Sequence, residues 1–200
     1  MYITEAGAVA LRYAGLNVNA PSLPPAAAPP SPSPAPRRVG LPPLTCADTR
    51  LLLLGSFPSV ASLNAGQYYA HPRNQFWPLL GALFELDLAA MPYAARVDAV
   101  LRRGVGIWDV YAACRREGSL DTSITAGEAN DLAGLVATLP RLQGIAHNGG
   151  ASARFLRQTR GLAAQVWQLP SSSPANASWS FARKLAAWRV VFVHCGLING

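Results

Sequence analysis

Downstream of residue 38 the apolar positions fall into short continuous runs that alternate with helical stripes. The run TRLLLLGS (49–56) is apolar through its middle and ends in Gly and Ser, the pattern of a strand buried on both faces. From Asn74 to Leu86, residues Phe76, Leu79, Leu80, Leu83 and Phe84 share one helical face. A second helix is predicted over Pro92–Arg103, with Pro at its start and Gly104 after its end. VGIWDVY (105–111) predicts a strand, and Gly127–Leu139 a helix stopped by Pro140. QGIAHN (143–148) predicts a strand, 151–160 a helix, AQVWQLP (164–170) a strand, 177–188 a helix and RVVFVHC (189–195) a last strand. Strands separated by helical stretches predict an α/β fold, a three-layer α/β/α sandwich with a mostly parallel central sheet. Such sheets bind ligands at the carboxyl ends of their strands. That singles out four loops, after Leu54, Trp108, Ala146 and Leu169.

The segment before this pattern is different. Residues 21–36 read PSLPPAAAPPSPSPAP, without a charge. Proline removes backbone donors and favours extended polyproline II, so residues 1–38 are expected to be a disordered tail and tether. Met1–Ala20 has at most the makings of a weak helix. Residues 39–200 then form the domain. Half of the 200 residues are hydrophobic and 14% are charged, which excludes full disorder. The chain carries 17 Lys and Arg against 10 Asp and Glu, a net of +7, and Lys184 is its one lysine. A basic surface suits a polyanionic partner, although an arginine bias arises equally from coding composition.

Three widely spaced cysteines, Cys46, Cys114 and Cys195, provide no CxxC pair and no four-cysteine set for zinc or an iron–sulfur cluster. They read as reduced thiols. No apolar stretch reaches transmembrane length, and the N-terminus lacks the basic start and apolar run of a signal peptide. The expectation is a cytoplasmic monomer with no membrane contact, no metal and no cofactor.

The first loop opens as GSFPS (55–59) and closes as QYYAHPRNQFW (67–77). Tyr68 and Tyr69 either stack a planar ligand, at about 1–3 kcal/mol per base, or pack as a rim over the sheet. His71 has no second metal ligand near it in sequence, which favours a structural or phosphate-proximal role. Asn74 stands where a helix cap belongs. The last loop, LPSSSPANA (169–177), either presents hydroxyls and backbone N–H groups to phosphates or is a turn capped by Asn176. Asp109, at a strand end, either accepts hydrogen bonds from a ligand or pairs with an arginine. GxSxG, Walker, HExxH and GxGxxG motifs are all absent from the sequence.

The two loops together resemble the paired motifs of the uracil-DNA glycosylase superfamily, and most of all its hypoxanthine-DNA (deoxyinosine) glycosylase branch, family 6. GSFPS with QYYAHPRNQFW carries the likeness, and GVGIWDVYAACRREGSLDTSI (104–124) and LPSSSPANA continue it across residues 40–200. The mismatch-specific uracil glycosylases have similar ends to this loop. The resemblance implies hydrolysis of the N-glycosidic bond of a deaminated base in DNA, chiefly hypoxanthine, after the nucleotide is flipped out of the stack. It implies that Tyr69 stacks on the flipped base and that Asp109 reads it, with Phe57 beside them. A carboxylate there accepts the N1–H that adenine lacks.

Two positions depart from the superfamily. Phe57 replaces the water-positioning Asn or Asp, and Leu169 replaces a His that stabilises the leaving base. In the branch resembled, the Asn of HPRN is the favoured substitute, here Asn74. An amide orients water without being a strong base, which suits dissociative cleavage through an oxocarbenium-like sugar. Ser56 is a second candidate for water or base contact. His71, Arg73, Ser171, Ser172, Ser173, Pro174, Ala175 and Asn176 are expected to hold the DNA, the last three in the minor groove, and Arg154 and Arg157 are candidate backbone contacts. Lys184 lies mid-helix, far from these loops, so a Schiff-base step is not expected and the enzyme should be monofunctional. Two alternatives fit the same residues: a uracil or mismatch glycosylase, and a non-catalytic DNA-binding relative.

Overall fold

The computed structural model describes residues 35–200, so most of the expected tail, including the possible helix at its start, lies outside the described residues. The centre of the fold is a four-stranded parallel sheet made of β2 (Leu51–Gly55), β3 (Val105–Asp109), β6 (Gly144–Asn148) and β7 (Gln165–Leu169). Its strand order is β3-β2-β6-β7. Leu51, Leu52, Leu53 and Leu54 are all fully buried. Because successive side chains point to opposite faces, a strand without an exposed residue must be covered on both sides. The crossovers β2→β3 and β6→β7 run in opposite directions along the sheet. Right-handed connections therefore place their helices on opposite faces.

The first crossover contains α1 (Val60–Ala65), α2 (Phe76–Phe84) and α3 (Tyr93–Leu101); the second contains α5 (Gly150–Ala153) and α6 (Leu156–Thr159). The C-terminal α7 (Phe181–His194) packs on α2 and β7. Phe76 meets Trp188 edge-on at 5.9 Å, and Phe84 meets Phe192 at 5.6 Å, so aromatic contacts join the two helices.

Five expectations change. RVVFVHC is not a strand but the second half of α7. Trp188, Val191, Phe192 and Cys195 are buried while Val190 is 66% exposed. That spacing is helical, and tertiary packing overrides the β-branched composition that suggests a strand. The helix also starts later than expected, where the Ser180 hydroxyl caps it by accepting from Arg183 N.

VGIWDVY breaks after Asp109. Val110 separates β3 from β4 (Tyr111–Arg115), which lies between β1 (Arg37–Val39) and β5 (Thr125–Ala129) in a second, antiparallel sheet. Part of the expected helix 127–139 is strand β5 (Thr125–Ala129), and α4 covers only Leu132–Ala137, capped by Asp131 through Gly134 N. The boundary expected after Arg38 falls inside β1 (Arg37–Val39), whose residues pair with Arg115, Cys114 and Ala113.

Candidate active site

The parallel sheet reverses its winding at β2, and the crevice at such a point is where doubly wound sheets bind ligands. All four loops expected from the sequence converge there. They enclose a small pocket that opens to solvent, with about 560 Å³ of empty space in and above it. Ser56, Phe57, Tyr69, Asn74, Asp109, Ser171, Ser172 and Ser173 all line it. A wider groove of about 1280 Å³ adjoins it and takes in Ala175 and Asn176. Pro174, Arg73, Arg154 and Arg157 are exposed, and His71 is half-buried outside the pocket. None of these three arginines has an ion-pair partner among the described residues.

Tyr69 is held in an unusual position. Its φ is +54°, a left-handed conformation that is rare for an aromatic residue and is kept only where the surroundings enforce it. One ring face stacks on Phe76 at 3.7 Å between centroids, with 13° between planes. Asn148 Nδ2 donates to the Tyr69 hydroxyl at 3.2 Å and to Ser172 Oγ at 2.9 Å, while Asn148 Oδ1 accepts from Ser172 N at 2.9 Å. One amide thus ties the first loop to the last. Burial, with Asp109 adding to it, raises the Tyr69 phenol well above its usual range, so the ring is neutral. Tyr68 does not share this role. Its ring is 3% exposed and its hydroxyl donates to the carbonyls of Leu41 and Pro42.

Asp109 ends β3 on the pocket wall, 3% exposed. No arginine pairs with it, and Oδ2 is buried without a hydrogen-bond partner among the described residues. Burial first, and then the charge of Asp121, push its carboxyl up to about 8; Arg116 opposes them. At neutral pH in the empty pocket it is therefore mostly an uncharged acid, with one O–H donor and one carbonyl acceptor. The expectation of a simple carboxylate acceptor changes accordingly. Gly55 lies against it, where an added Cβ would overlap Asp109 Oδ1 and come within 3.0 Å of the Tyr69 hydroxyl.

Asn74 caps α2. Its Oδ1 accepts from Phe76 N at 3.0 Å, which leaves its Nδ2 donors for the pocket. The next residue, Gln75, donates its N–H to Ser172 O at 3.0 Å and accepts from Lys184 Nζ at 2.9 Å. Lys184, expected to lie away from the motif loops, instead reaches the first of them: it is 2% exposed, does not line the pocket, and braces α7 against that loop. Phe57 is buried, with the Arg116 guanidinium 5.1 Å from its ring centroid. Arg116 itself is fully buried; its Nη2 donates to Pro58 O, and its Nε and Nη1 have no partner among the described residues.

Three residues at or beside the pocket escape a reading of the sequence. Asn148 stands at the end of QGIAHN, a strand end already under suspicion, but nothing local marks an Asn as a clasp. Asp121 and Arg116 lie in the stretch of the chain that carries the resemblance, and only the fold brings Asp121 to the pocket and Arg116 against Phe57. His147, by contrast, is structural. Both ring nitrogens are bonded, to Ser152 Oγ and Thr159 Oγ1 at 2.8 Å each, and burial lowers it to about 4, so it is neutral.

A doubly wound sheet with an aromatic platform and a buried, unpartnered acid at its switch point defines a pocket for a planar, hydrogen-bonding ligand. The family model of the uracil DNA glycosylase superfamily matches residues 42–192, and the chain belongs to that superfamily. It is 37% identical over 155 residues to a hypoxanthine DNA glycosylase of Methanosarcina acetivorans, covering 78% of this chain and 98% of the relative. A hypoxanthine DNA glycosylase of Methanosarcina barkeri is 36% identical over 156 residues, with the same coverage. Among solved structures, the chain resembles the solution NMR structure of a candidate uracil DNA glycosylase from M. acetivorans. The TM-score is 0.72 at 36% identity, over 80% of this chain and 99% of that one.

Proposed function

We propose that the protein is a monofunctional DNA glycosylase that flips a deaminated nucleotide into this pocket and hydrolyses its N-glycosidic bond, with hypoxanthine as the main base. The observation that carries this reading is Asp109, a buried acid with an orphaned oxygen on the wall of a pocket that also holds Tyr69. Relatives at 36–37% identity named for hypoxanthine support the choice of base. Hypoxanthine presents N1–H beside C6=O. A neutral carboxyl accepts the first and donates to the second, satisfying both of its oxygens. Bond cleavage leaves negative charge on the purine. An uncharged acid donating to O6 stabilises that charge, whereas a carboxylate would repel it. Adenine also fits a neutral carboxyl turned over, so its rejection rests on the greater cost of flipping a correctly paired base.

Tyr69 stacks on the flipped base, fixed by Phe76 beneath it and Asn148 at its hydroxyl. Phe57 packs against the base edge. Asn74 Nδ2 orients the attacking water by donation. Asn74→Ala should lower single-turnover excision by at least about tenfold, and an unchanged rate would remove Asn74 from the mechanism. Ser171, Ser173 and the exposed Arg73, Arg154 and Arg157 grip the backbone around the lesion, with Pro174, Ala175 and Asn176 in the minor groove; Ser172, expected among them, is fully buried and bonded to Asn148 and does not reach DNA. Three free thiols support a reducing, cytoplasmic setting. The exposed large apolar residues Val39, Leu120 and Val190 lie on separate elements, which supports a monomer.

Chromatography of the products from an inosine-containing duplex tests the reading. Free hypoxanthine should appear with an intact strand that breaks only in alkali, and borohydride should trap no covalent complex. DNA binding without release of any base would favour the non-catalytic alternative.

A further inference from the structure

With Phe57 in the first loop, no acid or amide from that loop's start reaches the reacting bond. Asn74 cannot take a proton either, because an amide is not a base at neutral pH. The pocket nevertheless holds a second carboxyl group. Asp121 opens a single turn of 3₁₀-helix (Asp121–Ser123) and lines both the base pocket and the adjoining groove. Its Oδ1 accepts from Ser56 Oγ at 2.6 Å, and no other protein group donates to this carboxylate among the described residues. The segment is docked in place, since Ser119 Oγ accepts from Val60 N at 3.0 Å at the start of α1.

The position matters more than the bond. A flipped nucleotide puts its base in the pocket and its strand in the groove, so its sugar lies where the two meet. Asp121 is at that junction.

Building on the glycosylase reading, we propose that Asp121 is the catalytic carboxylate of this enzyme, held by Ser56 against C1′ of the flipped nucleotide. The C1′–N9 bond breaks with its electron pair going to N9, leaving an oxocarbenium-like sugar and a purine anion. The carboxylate faces the cation and stabilises it. One water adds to C1′ through its oxygen. Its proton passes to Asp121 and then to the departed base, giving free purine and an abasic sugar. Ser56 is a positioning residue that fixes Oδ1 and leaves Oδ2 toward the water. Asp109 and Asp121 thereby divide the work, the first on the base and the second on the sugar.

Single-turnover excision from an inosine duplex, with affinity for a duplex containing a stable abasic analogue measured alongside, tests the assignment. Asp121→Asn should slow excision by at least about 100-fold, with affinity held within about threefold. Ser56→Ala should lose about tenfold, and Asp121→Glu should recover part of the rate. An Asp121→Asn rate within about threefold of the wild type would overturn the proposal, as would a loss matched by an equal loss of affinity. A wild-type protein that releases no base would instead contradict the glycosylase reading.

Discussion

Adding one methyl group at Gly55 is expected to slow single-turnover excision of hypoxanthine about 100-fold while the protein stays folded. The backbone at Gly55 is extended and free of the left-handed conformation that demands glycine, so alanine is sterically acceptable to the chain itself. The obstacle is what lies opposite. The new Cβ would overlap Asp109 Oδ1 and crowd the Tyr69 hydroxyl at 3.0 Å. Tyr69 is fixed between Phe76 and Asn148, so the short Asp109 side chain must turn away. A displacement of about 1 Å in a base-reading group costs about 100-fold, because the productive geometry is lost before binding is. Gly55→Ala with a wild-type rate and an unchanged melting temperature would show that neither Asp109 nor Tyr69 touches the base.

Asp109→Asn should stabilise the protein at neutral and alkaline pH, by an amount on the order of a few kcal/mol. The folded carboxyl keeps its proton up to about 8, against 3.8 as its ordinary value. Between those limits the folded state binds the extra proton, so wild-type stability falls as pH rises across the interval and levels off above it. The amide does not titrate. The advantage of the variant is therefore smallest near pH 4 and largest at pH 8 and beyond, which urea titrations at pH 5 and pH 8 would resolve.

Activity should follow the same ionisation. Wild-type excision declines above about pH 8 as the acid becomes a carboxylate that repels the leaving purine, and the variant shows no such limb. A stability difference that is constant with pH would mean that Asp109 is already ionised in the folded protein.

The parallel sheet was legible in the sequence because its strands are short, mostly apolar runs that end in Gly55, Asp109 and Asn148 or are closed by Pro170. The strand ends named the four loops, and all four meet at the pocket. The antiparallel sheet was not legible. Every residue of β5 is exposed, so no alternation of apolar and polar positions marks it, and β4 continues from β3 after a single residue. The end of α7 misled for the opposite reason, because Val190, Val191 and Val193 raise local β-propensity while the buried set keeps a helical period.

Within the site, Asn74, Tyr69 and Asp109 stand next to recognisable loop signatures. Asn148, Asp121 and Arg116 do not. Their chemistry comes from distance in space, as when Ser56 finds Asp121 across 65 residues of chain. The charge state of Asp109 was equally hidden, since it depends on burial and on the neighbouring Asp121.

The central claim is that this pocket selects a deaminated purine by its N1–H and C6=O edge. Its most direct test is single-turnover base release by the wild-type protein from matched duplexes containing hypoxanthine, uracil or xanthine. The account predicts free hypoxanthine as the fastest product, by about tenfold or more over uracil. Release of uracil with hypoxanthine left in place would contradict it.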